Sequence, residues 1–73
     1  MKELTNGSLL GEALLDSGIT IAEMSQKIGI TKEKFWEKIN NQAEFQASEI
    51  VSMQMILKLS DEKRDRIFFC KQS

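Results

Sequence analysis

The 73-residue chain has no histidine, one cysteine and a net charge of −1, with ten Lys and Arg residues against eleven Asp and Glu residues. With 41% hydrophobic residues, this composition excludes a disordered, highly charged chain and predicts one small domain, residues 1–73. A single cysteine excludes an internal disulfide, and without a histidine or a second thiol we expect no metal site.

The first two predicted helices are marked by the residues that end and begin them. An apolar stripe at helical spacing precedes Gly18, which stands where a helix commonly ends in the left-handed conformation. Thr20 and Glu23 have the spacing of a capping box, which predicts the start of the second helix, and Gly29 ends it. The inward-facing residues of this second helix are expected to be Ala22, Met24, Ser25 and Ile28.

Three further helices follow with similar start signals. Thr31 is a good N-cap, and Phe35 and Ile39 lie one turn apart on one side of the third helix. Residues 41–46 are polar around a single Phe45 and predict a loop, while Ser60 precedes acidic residues that suit the first turn of a fifth helix. No segment alternates at period two for long enough to be a strand. The sequence therefore predicts an all-α fold with helices at about 8–17, 21–28, 32–40, 47–58 and 61–69.

The second and third predicted helices have the spacing of a helix-turn-helix. Gly29 lies in a turn of three to four residues between them, and Ser25 is small enough for the two helices to approach. The alternative from these residues alone is a plain helical bundle. In a helix-turn-helix the N-terminal part of the second helix enters the major groove of DNA. The outer face of that helix here carries Lys32, Glu33, Trp36 and Glu37.

Most of the chain, roughly residues 8–69, resembles the Cro/repressor-type (XRE) helix-turn-helix family. The motif itself is carried by Gly18-Ile19-Thr20, Ser25-Gln26-Lys27-Ile28-Gly29-Ile30-Thr31, Phe35 and Lys38-Ile39-Asn40-Asn41. The remainder is similar to short phage proteins of Gram-positive bacteria at Glu44-Phe45, Ser48-Glu49-Ile50, Leu59-Ser60-Asp61-Glu62 and Ile67-Phe68-Phe69. This resemblance implies a compact five-helix repressor-like DNA-binding domain, often dimeric, that acts in the lysis–lysogeny switch of a temperate phage.

The same resemblance implies which side chains contact operator DNA. Lys32, Glu33 and Glu37 would face base edges, with Trp36 beside them on the same outer face. The side chains implied to lie near phosphates are Thr20, Thr31, Lys34, Lys38 and Asn40.

Several positions depart from the pattern of the family. Two of the three residues expected to face bases, Glu33 and Glu37, are acidic, and Trp36 is a large apolar side chain on the outer face. Ile21 replaces a usual glutamine, Ser25 replaces a usual alanine, and Asn41 replaces a common glycine. Asparagine tolerates the left-handed conformation better than most residues, so the change at Asn41 is compatible with a position where glycine is common.

The charge of the motif leaves two functions open. Residues 19–40 hold four lysines against three glutamates, whereas the rest of the chain holds six basic against eight acidic residues. One hypothesis is a Cro-like regulator whose partner is double-stranded operator DNA. The alternative is an antirepressor, or modulator of repression, that binds a cognate repressor protein and has weak DNA binding of its own. The affinity expected for DNA is modest, since few lysines are available for phosphates.

Several side chains have an alternative, purely structural interpretation. Lys32, Lys34 and Lys38 could belong to a solvated helix face, and Trp36 could cover the edge of the core. The run Met53-Gln54-Met55 is expected to pack in the core rather than to form a groove. A surface for a partner or a homodimer is expected at Trp36, Phe68 and Phe69.

No enzymatic activity and no cofactor are expected. The chain has no histidine for acid–base chemistry and no Gly-rich phosphate loop, and Cys70 is expected to be an incidental thiol near a frayed terminus. No apolar stretch is long enough for a signal peptide or a membrane span, so the expected location is the cytoplasm, here of a bacterial host cell.

Overall fold

The computed structural model describes residues 3–71, which form five α-helices and one pair of very short strands. Strand β1 (Glu3–Leu4) pairs antiparallel with β2 (Cys70–Lys71), with Leu4 opposite Cys70. The all-α prediction is confirmed, and each helix begins and ends within one residue of its predicted position. The strand pair was not predicted. The helices are α1 (Gly7–Ser17), α2 (Ile21–Ile28), α3 (Lys32–Ile39), α4 (Ala47–Leu57) and α5 (Asp61–Phe68).

Short polar side chains begin the helices as the sequence predicts. At α2 the Thr20 hydroxyl accepts from the Glu23 N–H and the Glu23 carboxylate accepts from the Thr20 N–H, both at 3.1 Å. Thr31 and Ser60 each accept from the backbone N–H three residues further on, at 3.1 and 3.0 Å. Asn6 does the same for α1, which therefore starts one residue earlier than predicted. These bonds satisfy N–H groups that have no partner within the helix.

In the part of the chain that the structure describes, four residues adopt the left-handed conformation where helices or turns end. Gly18 and Gly29 do so at φ 68° and 81°, as the sequence predicts. Asn41 also adopts this conformation, at φ 63°, and so does Lys58, at φ 56°, where the sequence predicts no such end. The Asn41 side chain also joins distant segments, since its amide accepts from the Thr5 N–H at 2.9 Å and donates to the Thr5 carbonyl at 3.0 Å.

A chain of three aromatic rings connects α3, the following loop and α5. Phe45 meets Phe35 edge-on at a centroid distance of 5.5 Å and meets Phe68 in the same way at 5.6 Å. Such edge-to-face pairs contribute beyond the apolar area they bury. The other buried apolar residues of this core are Leu10, Ala13, Leu14, Met24, Ile39, Ile50, Met53, Leu57 and Ile67.

The core corrects three predictions about individual side chains. Ala22 is exposed, because it lies nearly opposite Met24 around α2, whereas Ile21 lies on the inward side. Phe68, expected at a partner surface, is only 4% exposed because α5 directs it at Phe45, while its neighbour Phe69 is 39% exposed. Of the Met53-Gln54-Met55 run, Met53 is fully buried and Met55 faces solvent.

Among the described residues, no helix is long and apolar enough to cross a membrane.

Candidate functional site

Helices α2 and α3 are joined by a tight turn of three residues. The Gly29 N–H donates to the Gln26 carbonyl at 3.2 Å, and the Ile30 N–H donates to the Ser25 carbonyl at 3.0 Å. Thr31 then caps α3. Ser25 is 2% exposed and satisfies its hydroxyl by donating to the Ile21 carbonyl at 2.7 Å. A larger side chain at Ser25 would have no room, so the turn and the buried serine together fix α3 relative to α2.

The N-terminal part of α3 presents mixed charges to solvent. Lys32, Glu33 and Lys34 are exposed, and Trp36 is 46% exposed on the next turn. Glu37 is half-buried, with a carboxylate oxygen 3.5 Å from the Lys34 ammonium. Lys32, Glu33, Lys34 and Trp36 are therefore accessible to a ligand, and Glu37 pairs with Lys34. The remaining predicted contacts, Thr20, Thr31 and Asn40, are exposed at helix ends.

Lys38 does not belong to this surface, which corrects its predicted contact with phosphate. Its ammonium donates to both carboxylate oxygens of Glu49 on α4, at 2.7 and 2.8 Å, and the two side chains are only 11% and 8% exposed. The Glu49 carboxylate also accepts from the Gln46 N–H at 2.8 Å, and the Lys38 ammonium lies 5.9 Å from the centroid of the Phe45 ring. Lys38 is thus an internal link between α3 and α4.

The burial of Lys38 removes the excess positive charge from the predicted motif. Outside the Lys38–Glu49 pair, residues 19–40 present equal numbers of lysines and glutamates, namely Lys27, Lys32, Lys34, Glu23, Glu33 and Glu37. The carboxyl group of Glu23 stays ionised, since the Thr20 backbone N–H, then the Thr20 hydroxyl and the nearby Lys27 charge, lower its pKa. The surface is therefore neutral overall and has charges of both signs side by side.

Trp36 lies at one edge of an open groove between α3 and the start of α1, called here the Trp36 groove. Ile39 and Asn40 continue its α3 side, while Thr5, Asn6 and Ser8 form the opposite side. Among the described residues that line it, none carries a charge. Gly7 also lines the groove, and its backbone lies so close to α3 that a Cβ atom there would come within 3.2 Å of the Ile39 carbonyl oxygen.

Two weak sequence signals point to the buried pair of Lys38 and Glu49. Lys38 is three residues after Phe35 and therefore shares part of its inward face, and Glu49 directly precedes the buried Ile50. The hydrogen bonds between Asn41 and Thr5 join residues 36 positions apart, which no local pattern can reveal.

Among the described side chains, no cluster of three His, Cys, Asp or Glu residues could hold a metal ion. Cys70, expected near a frayed terminus, is instead half-buried in β2. Every buried side-chain nitrogen or oxygen in the described part of the chain has a hydrogen-bond partner.

No protein-family model, no curated protein and no solved structure matches this chain.

Proposed function

We propose that the chain is a transcriptional regulator of the Cro-like helix-turn-helix type, which binds operator DNA in a phage lysis–lysogeny switch. The observation that carries this proposal is the α2–α3 pair: two eight-residue helices joined by a three-residue turn, with Lys32 and Glu33 exposed where α3 begins. That arrangement suits a helix whose N-terminal residues read base edges in the major groove.

The exposed side chains at the start of α3 have complementary roles in such a complex. Lys32 can donate to guanine O6 and N7, and Glu33 can accept from the N4 amino group of cytosine. The hydroxyls of Thr20 and Thr31 stand at helix N-termini, where backbone N–H groups and the helix dipole favour a phosphate. Base contacts thus come from α3, and phosphate contacts from the ends of both helices.

The neutral surface limits the electrostatic part of this binding. With Lys38 paired internally, Lys27, Lys32 and Lys34 are the lysines of residues 19–40 available to phosphates. Each neutralised phosphate contributes a slope of about −0.9 to the dependence of log K on log salt, so about three contacts give a slope near −3 for each chain. We therefore propose modest affinity for a single chain and a need for a homodimer or for a partner.

A selection experiment tests the DNA-binding function. The full-length chain is incubated with a library of random DNA duplexes at 50 mM salt, and the enriched sequences are then titrated by fluorescence anisotropy. We expect one enriched motif, with binding weakened at least tenfold by Lys32→Ala. Lys63→Ala, an exposed lysine on α5, is the matched control and should bind as the wild type does. Enrichment of no motif would overturn the proposal.

A second candidate function is an antirepressor that binds a cognate repressor protein. The neutral face of α3 and the half-exposed Trp36 beside an uncharged groove are the observations that support it. Glu33 and Glu37 could accept from basic residues that a repressor normally presents to DNA, and a tryptophan is a frequent anchor of protein interfaces.

One double substitution separates the two functions. Glu33→Gln with Glu37→Gln removes two negative charges and should raise general DNA affinity if α3 enters the groove of DNA. If α3 binds a repressor, the same change should weaken that complex. The complex is measured by co-expression with a repressor encoded beside this chain, followed by size-exclusion chromatography. Separate elution at micromolar concentration would refute the second candidate.

A further inference from the structure

A second groove, apolar where the Trp36 groove is polar, runs between α1 and the start of α2; it is called here the α1–α2 groove. Its apolar lining consists of Leu14, Leu15, Ile19 and Ile21. Leu15 is 82% exposed, which is the largest exposure of any large apolar side chain among the described residues. The space above Gly11 is open, since a Cβ atom at that position would meet nothing within 4 Å.

Acidic groups border this apolar surface. Glu12 lines the groove on the α1 side, and Asp16 is exposed one turn further along the same helix. On the α2 side the groove is lined by Thr20, whose N–H holds the Glu23 carboxylate at 3.1 Å. Among the described lining residues there is no Lys or Arg, and α1 contains none. The groove therefore combines an apolar floor with a negatively charged border.

The acidic border distinguishes two possible occupants of the groove, a second copy of this chain and a basic segment of another protein. In a symmetric dimer the same patch faces itself, so Glu12 and Asp16 would lie against a patch that has acidic groups and no Lys or Arg among its described lining residues. Removing like charges from water against each other disfavours that contact. A segment with basic residues beside its apolar side chains instead gains an attractive partner for each acidic group.

We propose that the α1–α2 groove is a docking site for an amphipathic helix of a partner protein, one that inserts apolar side chains over Gly11 and flanks them with Lys or Arg. This is a helix-in-groove contact, in which apolar residues on one helix face provide the anchors. The inference rests on the second candidate function, for which it supplies the site and the chemistry of the partner. Gly7 and Ser8 line both the α1–α2 groove and the Trp36 groove, so one partner can contact both surfaces.

Two synthetic peptides test the proposal on the full-length chain. Both are helical and carry leucines at i, i+4 and i+7, but one has lysines and the other glutamates on the polar face. Each is titrated into the isotope-labelled protein, and the amide signals of Gly11 and Gly29 are followed by NMR. We expect saturable shifts at Gly11 with the lysine peptide and binding at least tenfold weaker with the glutamate peptide, while Gly29 stays unchanged.

Variants of the groove complete the test. Gly11→Leu fills the open floor and also favours the helix, so it should reduce peptide binding at least tenfold without loss of folding. Leu15→Glu should do the same. The matched control is Met55→Glu, which changes an equally prominent apolar side chain, 74% exposed, on α4 and should bind as the wild type does.

Three results would overturn the proposal. The first is equal affinity for the two peptides, and the second is a change of the amide signal at Gly29 but not at Gly11. The third is a wild-type protein that is dimeric in light scattering and becomes monomeric with Leu15→Glu. The last would assign the groove to a second copy of the chain.

Failure of the antirepressor function is recognised separately. If a repressor co-elutes with Leu15→Glu as well as with the wild type, the function stands and the groove proposal is wrong. If the lysine peptide binds at Gly11 but no repressor co-elutes, the groove proposal stands and that function is wrong.

Discussion

Replacing Lys38 with methionine removes one partner of the buried ion pair and keeps the length and apolar stem of the side chain. The Glu49 carboxylate would then remain 8% exposed without the ammonium that contacts both its oxygens at 2.7 and 2.8 Å. Leaving a charge buried and unpaired in this way typically costs about 3–5 kcal/mol. The Gln46 N–H still donates to Glu49, so we expect a loss of unfolding free energy near the lower end, about 3 kcal/mol.

This loss is large for so small a domain. At about 0.05–0.15 kcal/mol per residue, a domain of this length has a total stability of roughly 4–11 kcal/mol. A change of 1 kcal/mol shifts the melting temperature of a domain this size by about 4–8 °C, so Lys38→Met should lower it by roughly 12–24 °C. Replacing both partners, as in Lys38→Met with Glu49→Leu, should return the stability to within about 1 kcal/mol of the wild type, because no unpaired charge remains.

Urea unfolding followed by circular dichroism measures these differences. Lys34→Met is the matched control, because its ammonium lies 3.5 Å from Glu37 in an exposed pair and should contribute less than about 0.5 kcal/mol. The reasoning is refuted if Lys38→Met costs no more than Lys34→Met. A Lys38→Met protein of unchanged stability and reduced DNA affinity would restore Lys38 as a phosphate contact.

Three further predictions concern the capping box, a strained helix end and the aromatic core. The pKa of the Glu23 carboxyl group is lowered from its ordinary value of 4.5, first of all by the backbone hydrogen bond to Thr20. The ionised carboxylate therefore adds fully to the free energy of unfolding above pH 4.5, and this stabilisation is lost as the pH falls through the folded-state pKa. The stability difference between wild type and Glu23→Gln, measured by urea unfolding from pH 7 to pH 3, should therefore shrink towards the acidic end; a constant difference would contradict this. Lys58→Gly should raise the unfolding free energy by about 0.5–1 kcal/mol, since φ is 56° there and glycine adopts that conformation without strain. A lower melting temperature in thermal unfolding would contradict the left-handed conformation at Lys58. Phe45→Ala should cost about 3 kcal/mol in urea unfolding, whereas Phe69→Ala, at a more exposed ring, should cost less than about 1 kcal/mol; equal costs would show that Phe45 is not part of the core.

The helices were predictable because their ends are encoded locally. Thr20, Thr31 and Ser60 each cap a helix through a bond to a residue three positions away, and Gly18 and Gly29 end helices through their own conformational freedom. Such signals lie within one turn of the chain. The pairing of β1 with β2 joins segments more than sixty residues apart and is only two residues long, so it leaves no periodic pattern to detect.

The candidate site was less predictable because side-chain burial depends on partners that are distant in sequence. Lysine is a residue type that is usually exposed on helices. Lys38 is buried instead because its ammonium pairs with Glu49, eleven residues later in the sequence. Phe68 and Phe69 are equally apolar, and the direction of α5 alone determines which of them meets Phe45. By contrast, Lys32, Glu33 and Trp36 are exposed to solvent, as helical periodicity predicts.

The ring chain of Phe35, Phe45 and Phe68 makes α5 part of the same cooperative unit as α3. Phe45 lies in a loop without regular structure and is held between a ring from each helix. Local unfolding of α5 would remove the contact of Phe68 with Phe45 and expose one side of the Phe45 ring. Phe45 in turn packs against Phe35 of α3. Local unfolding at the last helix therefore reaches the helix that carries the exposed lysines and glutamates. Amide protons of α3 should therefore exchange with solvent no more slowly than those of the α5 turn that holds Phe68. We expect this although Phe35 and Phe68 are 33 positions apart in the sequence.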